Sequence, residues 1–116
     1  MRREILYLSD IIEASGQVGD FIAGIGFDQF QQSELIRSAV VQNLTIIGEA
    51  AGRLSPAVRS RAPEVPWPQI VAFRNILVHA YFGIDWNEVW ISAKDRCPVL
   101  REQVARILTV ESERPD

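Results

Sequence analysis

The chain has 116 residues, 47% of them hydrophobic and 23% charged, and its formal net charge at pH 7 is −3. That length has room for one hydrophobic core, and that balance excludes a largely disordered chain. No apolar run approaches the roughly 20 residues that a membrane-spanning helix needs, and the charged helical start is not a secretion signal. The single cysteine, Cys97, has no partner for an internal disulfide. We therefore expect a cytoplasmic protein without a membrane segment.

Basic residues are concentrated in the middle of the chain. Between Arg53 and Tyr81 there are four arginines and one acidic residue. The overall negative charge disfavours non-specific binding to nucleic acid. Arginine is nevertheless a good bidentate partner for phosphate, so this region suits a phosphate group held in one place.

The first half of the chain has helical spacing, because its apolar residues recur at steps of three or four. A first helix is expected to stop at the glycine-rich stretch Gly24–Phe27. Asp28 is expected to open a second helix, with Gln31 as its capping partner. Ser55–Pro56 has the form of an N-cap followed by proline at the first helical position, which predicts a short helix ending near Arg61.

The second half begins with residues 62–68, which contain three prolines and are expected to form an extended connector. The next helix is expected to end near Phe82, with Gly83 as its C-cap. Asp85–Glu88 has the form of a capping box and would open the last helix. Pro98 lies inside that helix and should kink it, because proline removes a backbone hydrogen bond.

These elements predict an all-α fold: an antiparallel bundle of four main helices plus one short helix. We predict a single domain over residues 1–110. Residues 111–116 carry no apolar pattern and are expected to be a disordered tail. A domain this small buries a modest fraction of its surface, so a dimer formed along an apolar helix face is plausible.

The stretch "FRNILVHAYFG", Phe73–Gly83, holds the only histidine, His79. On an ideal helix Asn75 and His79 share a face, while Arg74 and Tyr81 lie nearly above one another on an adjoining stripe. An imidazole can take or give a proton near neutral pH, and an arginine can stabilise charge on phosphoryl oxygens. This chemistry fits phosphoryl transfer from an RNA 2′-hydroxyl. It requires no metal, and the sequence offers no cluster of metal ligands.

A structural interpretation of the same residues is the more common one from spacing alone. A histidine in the last turn of a helix often only complements the helix dipole, and Tyr81 could be a half-buried core residue. The three tryptophans are expected to belong to the core rather than to a base-stacking platform, and Cys97 is expected to be an inert core thiol.

The segment Arg74–Gly83 fits the Arg-x4-His-x-Tyr pattern of the HepT-like proteins, which belong to the HEPN superfamily of small α-helical domains. Val40–Leu54, Pro63–Trp90 and Cys97–Leu108 are similar to the second helix, the motif region and the final helix of that family, in the same order. Ala80 stands where many members have glycine. The resemblance covers most of the chain.

The resemblance implies a homodimer that acts as the toxin of a type VII toxin–antitoxin pair. HepT toxins are metal-independent ribonucleases that need no cofactor, and the motifs of two subunits meet in one cleft. Their partner is an MntA-like minimal nucleotidyltransferase, which adds AMP to the motif tyrosine. By this resemblance Arg74 and His79 would be catalytic on an RNA substrate, Asn75 would support them, and Tyr81 would be the residue modified by AMP.

Two other functions remain open from the sequence. The chain could be a non-catalytic HEPN module that docks a nucleotidyltransferase or binds a nucleotide, with Arg74 holding a phosphate. It could also be a plain structural or oligomerisation domain, in which the motif only packs a helix end.

Overall fold

The structure is a computed structural model and describes residues 3–115, apart from the side chain of Tyr81. Within these residues there are helices and turns but no strand, which confirms the predicted all-α class. The helices are α1 (Arg3–Ile22), α2 (Phe27–Gln32), α3 (Glu34–Arg53), α4 (Pro56–Ser60), α5 (Trp67–His79), α6 (Trp86–Ile91) and α7 (Cys97–Ser112). No helix in the described part of the chain is both long and apolar enough to cross a membrane.

Four long units make up the bundle: α1, α3, α5, and α6 joined end to end with α7. The principal contacts link α7 to α1, α1 to α3, and α3 to α5. Helix α1 is therefore covered on two sides, and α5 packs mainly on α3. The short helix α4 is present as predicted, and its N-cap Ser55 accepts a hydrogen bond from the backbone N–H of Val58 at 3.2 Å. The prediction of a single domain stays a prediction.

The core is formed by apolar side chains that these helices turn towards each other. Those that are fully buried include Leu8, Ile11, Val18, Phe30, Val40, Ala51, Val89 and Val104. Cys97 is buried among them, and burial raises the pKa of its thiol to about 12. The thiol therefore stays protonated at neutral pH, as the prediction of an inert core cysteine requires.

The three tryptophans belong to the core, as predicted. Trp67 is buried, and its indole N–H donates to the carbonyl of Ala62 at 3.0 Å. Trp86 and Trp90 are half-buried and pack against the ring of Phe30, with ring centroids 6.2 Å and 5.2 Å away. These contacts join α2 to α6.

The second helical region differs from the prediction, which placed its start at Asp28. Helix α2 begins at Phe27, and the N–H of Gly26 donates to the side-chain oxygen of Gln29 at 3.3 Å. The region is also broken at Ser33, whose hydroxyl accepts from the N–H of Ile36 at 3.1 Å and caps α3. Serine offers the backbone a local hydrogen bond that competes with helix continuation, so it starts a new helix here.

The end of α5 also differs from the prediction. The helix stops at His79, and the backbone leaves helical geometry at Ala80, with φ −123° and ψ 43°. One 3₁₀ turn follows, Tyr81–Gly83, in which the N–H of Gly83 donates to the carbonyl of Ala80 at 2.8 Å. The expected stop near Phe82 is therefore three residues too late, because Gly83 closes this tighter turn instead of capping α5.

The last helical run is irregular just before Pro98, while the predicted kink itself stays a prediction. Helices α6 and α7 are joined by a π-helical segment, Ser92–Arg96, in which the N–H of Cys97 donates to the carbonyl of Ser92. A proline ring clashes with the carbonyl four residues earlier and offers no N–H to it. The wider π turn accommodates both problems locally, so the chain continues as one long unit.

The C-terminal end of α7 is fixed by a buried carboxylate. The side chain of Glu111 is 1% exposed and accepts two hydrogen bonds from Arg61, at 2.8 Å from Nε and 2.7 Å from Nη2. The hydrogen bond to Glu111 raises the pKa of the Arg61 guanidinium. The prediction of a disordered tail is therefore wrong for Glu111 and Ser112, which belong to α7. Asp116 lies outside the described residues.

Replacing Arg61 with methionine tests this ion pair. The change keeps a long side chain but removes both charge-assisted hydrogen bonds to a carboxylate that is shielded from water. We expect a clear fall in the urea midpoint of unfolding, measured by circular dichroism, with the slope of the transition unchanged. Arg96→Met is the matched control, because it removes an exposed pair with Glu88 at 3.2 Å together with one neutral-acceptor hydrogen bond to Ser92. That control should change the free energy of unfolding by less than about 1 kcal/mol, and an equal effect of the two changes would contradict the assignment.

Candidate functional site

The candidate site begins where α5 packs on α3. Gly48 is a buried residue in the second half of α3, directly beneath Arg74 of α5. A Cβ atom added at Gly48 would overlap the Cβ of Arg74 and would lie 2.7 Å from its Cγ. Glycine is unfavourable inside a helix by about 1 kcal/mol relative to alanine. Its presence here is explained by the room that the stem of Arg74 requires.

The guanidinium of Arg74 is held on two sides. Its Nη2 donates to Oε1 of Glu49 on α3, and its Nη1 donates to Oδ1 of Asn75, both at 2.9 Å. The Nε atom is buried and has no hydrogen-bond partner among the described residues. The side chain as a whole is 27% exposed. The guanidinium is thus anchored by the protein yet still reaches solvent.

Glu49 carries a second, weaker contact. Its other carboxylate oxygen, Oε2, lies 4.0 Å from Nε of Arg53, one helical turn further along α3. Two arginines and one carboxylate therefore meet at this point of the surface. The net charge of these three side chains is one positive charge. This agrees with the basic region that was expected from the sequence to suit a phosphate ligand.

His79 is the last residue of α5, and it is exposed. Asn75 lies one turn earlier and is also exposed, so the predicted common face is present on the helix. Among the described contacts, however, the side chain of Asn75 meets Arg74 and not His79. In this structure Asn75 is therefore a hydrogen-bond acceptor for the guanidinium of Arg74.

Tyr81 lies beyond the end of α5, in the 3₁₀ turn. The seven-residue spacing that would place it above Arg74 assumes an uninterrupted helix, and α5 stops two residues earlier. That expected stacking therefore has no support from the backbone. The side chain of Tyr81 lies outside the described part of the structure, so its predicted position near Arg74 stays a prediction.

Three large apolar side chains close to His79 along the chain are exposed. Ile76 and Val78 on α5 and Phe82 in the following turn are all exposed. Monomeric proteins rarely leave several large apolar side chains together at the surface without a role in binding. The exposed apolar residues at this end of α5 therefore suit an interface.

A separate groove lies on another side of α5. It has a volume of about 640 Å³ and is bordered by α3, α5 and the start of α7, with Ile47, Phe73 and Leu100 among its apolar lining. Neither Arg74 nor His79 lines it. We therefore place the candidate site at the exposed end of α5 and not in this groove.

The described residues contain no group of three or more His, Cys, Asp or Glu side chains placed to hold a metal ion.

Two residues of this site were missed from the sequence: Gly48 and Glu49. The sequence carried a signal for the first, since a glycine interrupts the apolar stripe of a strongly periodic helix. Glu49 could not have been found in that way, because an acidic residue on a partly exposed helix face is ordinary. Its importance depends on a contact between residues 25 positions apart.

Comparison with known proteins shows the family of the chain. Residues 11–107 match the family described as Ribonuclease HepT-like. The chain is 39% identical to "Putative RNase MJ1380" of Methanocaldococcus jannaschii, over 84% of this chain and 90% of that protein. It is 34% identical to "Probable ribonuclease HepT" of Thermococcus cleftensis, over 87% of this chain and 92% of that protein. No solved structure shows a significant match.

The chain is thus a small all-α protein that carries an Arg-x4-His-x-Tyr motif. The chain belongs to the HepT-like ribonuclease family.

Gly48→Ala tests the close packing beneath Arg74. We expect the added methyl group to push α5 away and to lower the free energy of unfolding by about 1–3 kcal/mol, measured by urea denaturation. Gly52→Ala is the matched control in the same helix, because its Cβ would lie 3.7 Å from Val71, an ordinary contact. That control should be neutral or stabilising by up to about 1 kcal/mol. Equal stability of the two variants would show that Gly48 is not needed for packing.

Proposed function

We propose that this protein is an RNA endonuclease in which Arg74 and His79 are the catalytic residues and Asn75 supports them. The observation that carries the proposal is the anchored but solvent-reaching guanidinium of Arg74, on the same helix as an exposed histidine. The names of the relatives, which describe ribonucleases, point to the same substrate class.

The proposed chemistry is an internal phosphoryl transfer. The 2′-oxygen of the RNA attacks the adjacent phosphorus as its proton passes to a neutral imidazole, and the bond from phosphorus to the 5′-oxygen breaks. An imidazolium then gives a proton to the departing 5′-oxygen. Arg74 stabilises the negative charge that builds on the phosphoryl oxygens. The scheme requires no metal ion and no cofactor.

We further propose that the active form is a homodimer. The scheme uses one imidazole as base and another as acid, and each chain supplies a single histidine, His79. A second copy seated on the exposed apolar residues at the end of α5 would bring the two imidazoles into one cleft and cover Ile76 and Phe82.

We propose, finally, that the protein is the toxin of a type VII toxin–antitoxin pair and that an MntA-like nucleotidyltransferase silences it by transferring AMP to Tyr81. Tyr81 follows His79 by two residues, at the edge of the proposed site. An added AMP would bring a bulky group and a negative phosphate to the place where RNA must bind. It would compete for Arg74 and repel the substrate.

Loss of RNA cleavage in two single variants tests the proposed enzyme. In His79→Ala and Arg74→Ala we expect cleavage of a mixed-sequence RNA to fall by about 100-fold or more, since general acid–base and electrostatic stabilisation each contribute factors of that size. Both variants must keep the circular dichroism spectrum and the light-scattering mass of the wild type. Activity of the wild type should persist in excess EDTA.

Several outcomes would change the proposal. Full activity in either folded variant would remove the catalytic assignment. A wild-type protein that stays folded, cuts no RNA and is harmless when expressed without its partner would instead support the non-catalytic nucleotide- or partner-binding module.

Co-expression with the nucleotidyltransferase tests the proposed switch. We expect intact-protein mass spectrometry to show one or more added AMP units on the wild type and none on Tyr81→Phe. Tyr81→Phe should keep its toxicity in the presence of the partner, because the site of modification is absent. Tyr7→Phe is the control, since it removes the other tyrosine. Modification that persists in Tyr81→Phe would contradict the assignment.

A further inference from the structure

Glu49 is the one residue outside the motif that forms an ion pair with Arg74 among the described contacts. It comes from a different helix, α3, whereas Arg74, Asn75 and His79 are all carried by α5. The position of the guanidinium relative to α3 is therefore set by this carboxylate and by the close packing of Arg74 on Gly48.

Counting the donors of Arg74 shows what the contacts leave available. A guanidinium has five N–H groups. One on Nη2 is used by Glu49, one on Nη1 is used by Asn75, and the one on Nε is buried. One N–H on each terminal nitrogen therefore remains for a ligand. Two N–H groups on neighbouring nitrogens suit two oxygens of one phosphate group.

Glu49 is negatively charged, as RNA is, so it is not suited to bind RNA directly. A carboxylate 2.9 Å from the proposed phosphate-binding nitrogen offsets part of the positive charge and repels the RNA backbone. A simple binding site would be improved by its removal. A fixed orientation of Arg74 is the property that this carboxylate can supply instead.

We propose that Glu49 is a positioning residue for the reaction: it fixes the Arg74 guanidinium so that the two free N–H groups face the phosphoryl oxygens of the RNA. This inference rests on the proposed ribonuclease function. Glu49 acts through Arg74 and need not touch the substrate, so its benefit to the reaction lies in the chemical step.

Steady-state kinetics of RNA cleavage tests the proposal with two changes at one position. Glu49→Ala frees the guanidinium, so kcat should fall by about 10- to 100-fold, the loss expected for a misplaced catalytic group. Glu49→Gln keeps an oxygen that can accept from Nη2, so its kcat should be clearly higher than that of Glu49→Ala. KM should fall or stay unchanged in both, because a repulsive charge has been removed.

Glu88→Gln is the matched control. It makes the same change in net charge at another exposed carboxylate, which pairs with Arg96 at 3.2 Å. Its kcat should equal that of the wild type. A kcat for Glu49→Ala within twofold of the wild type would overturn the proposal, and so would an equal loss in Glu88→Gln. A Glu49→Gln protein no better than Glu49→Ala would show that the hydrogen-bond acceptor is not what matters.

A second measurement separates this proposal from the proposed function. In ¹⁵N-labelled protein, restricted rotation of the Arg74 guanidinium should give resolved signals for its terminal N–H groups, identified by their loss in Arg74→Lys. These signals should merge in Glu49→Ala and stay resolved in Glu88→Gln. If the signals are unchanged in Glu49→Ala, the positioning role is refuted, even if the wild-type protein cuts RNA as proposed. If the wild type cuts no RNA but the signals merge as expected, the ribonuclease function fails while the role of Glu49 in fixing Arg74 stands.

Discussion

The close approach of α3 and α5 at Gly48 is the constraint on which the site depends. The stem of Arg74 lies in the space that any other side chain at position 48 would fill. This contact brings the carboxylate of Glu49 within 2.9 Å of the guanidinium. Without it, α5 would stand further from α3 and Arg74 would be an ordinary exposed arginine. Two adjacent residues of α3 therefore act on Arg74: Gly48 makes room for its stem, and Glu49 pairs with its guanidinium.

Two arginine–carboxylate pairs in this protein show how burial separates structural from chemical use. Glu111 is 1% exposed and accepts two hydrogen bonds from Arg61, so the pair closes the C-terminal end of the fold. Glu49 is 41% exposed and accepts one hydrogen bond from Arg74. In the first pair the carboxylate is shielded from water, whereas in the second it is partly exposed. An arginine–carboxylate pair can thus stabilise the fold or hold an arginine at the surface, depending on how far its carboxylate is shielded from water.

Periodicity predicted most of the fold, and local backbone chemistry accounts for what it missed. The all-α class, the short helix α4 and the irregularity at Pro98 follow from spacing and from proline. The break at Ser33 could not be foreseen from apolar spacing, since the apolar stripe continues across it and only the serine hydroxyl redirects the backbone. The site was predicted within α5, but its link to Glu49 depends on helix packing, which one sequence does not reveal.

The early end of α5 has a consequence for how the proposed switch could work. His79 is the last helical residue, and Tyr81 belongs to a separate turn that begins after Ala80. A modification of Tyr81 would therefore fall outside the hydrogen-bonded helix that carries Arg74. Under the proposal, adding AMP requires no unwinding of α5. The silenced protein would then keep its fold, and its inactivity would arise from the charge and bulk of the added group.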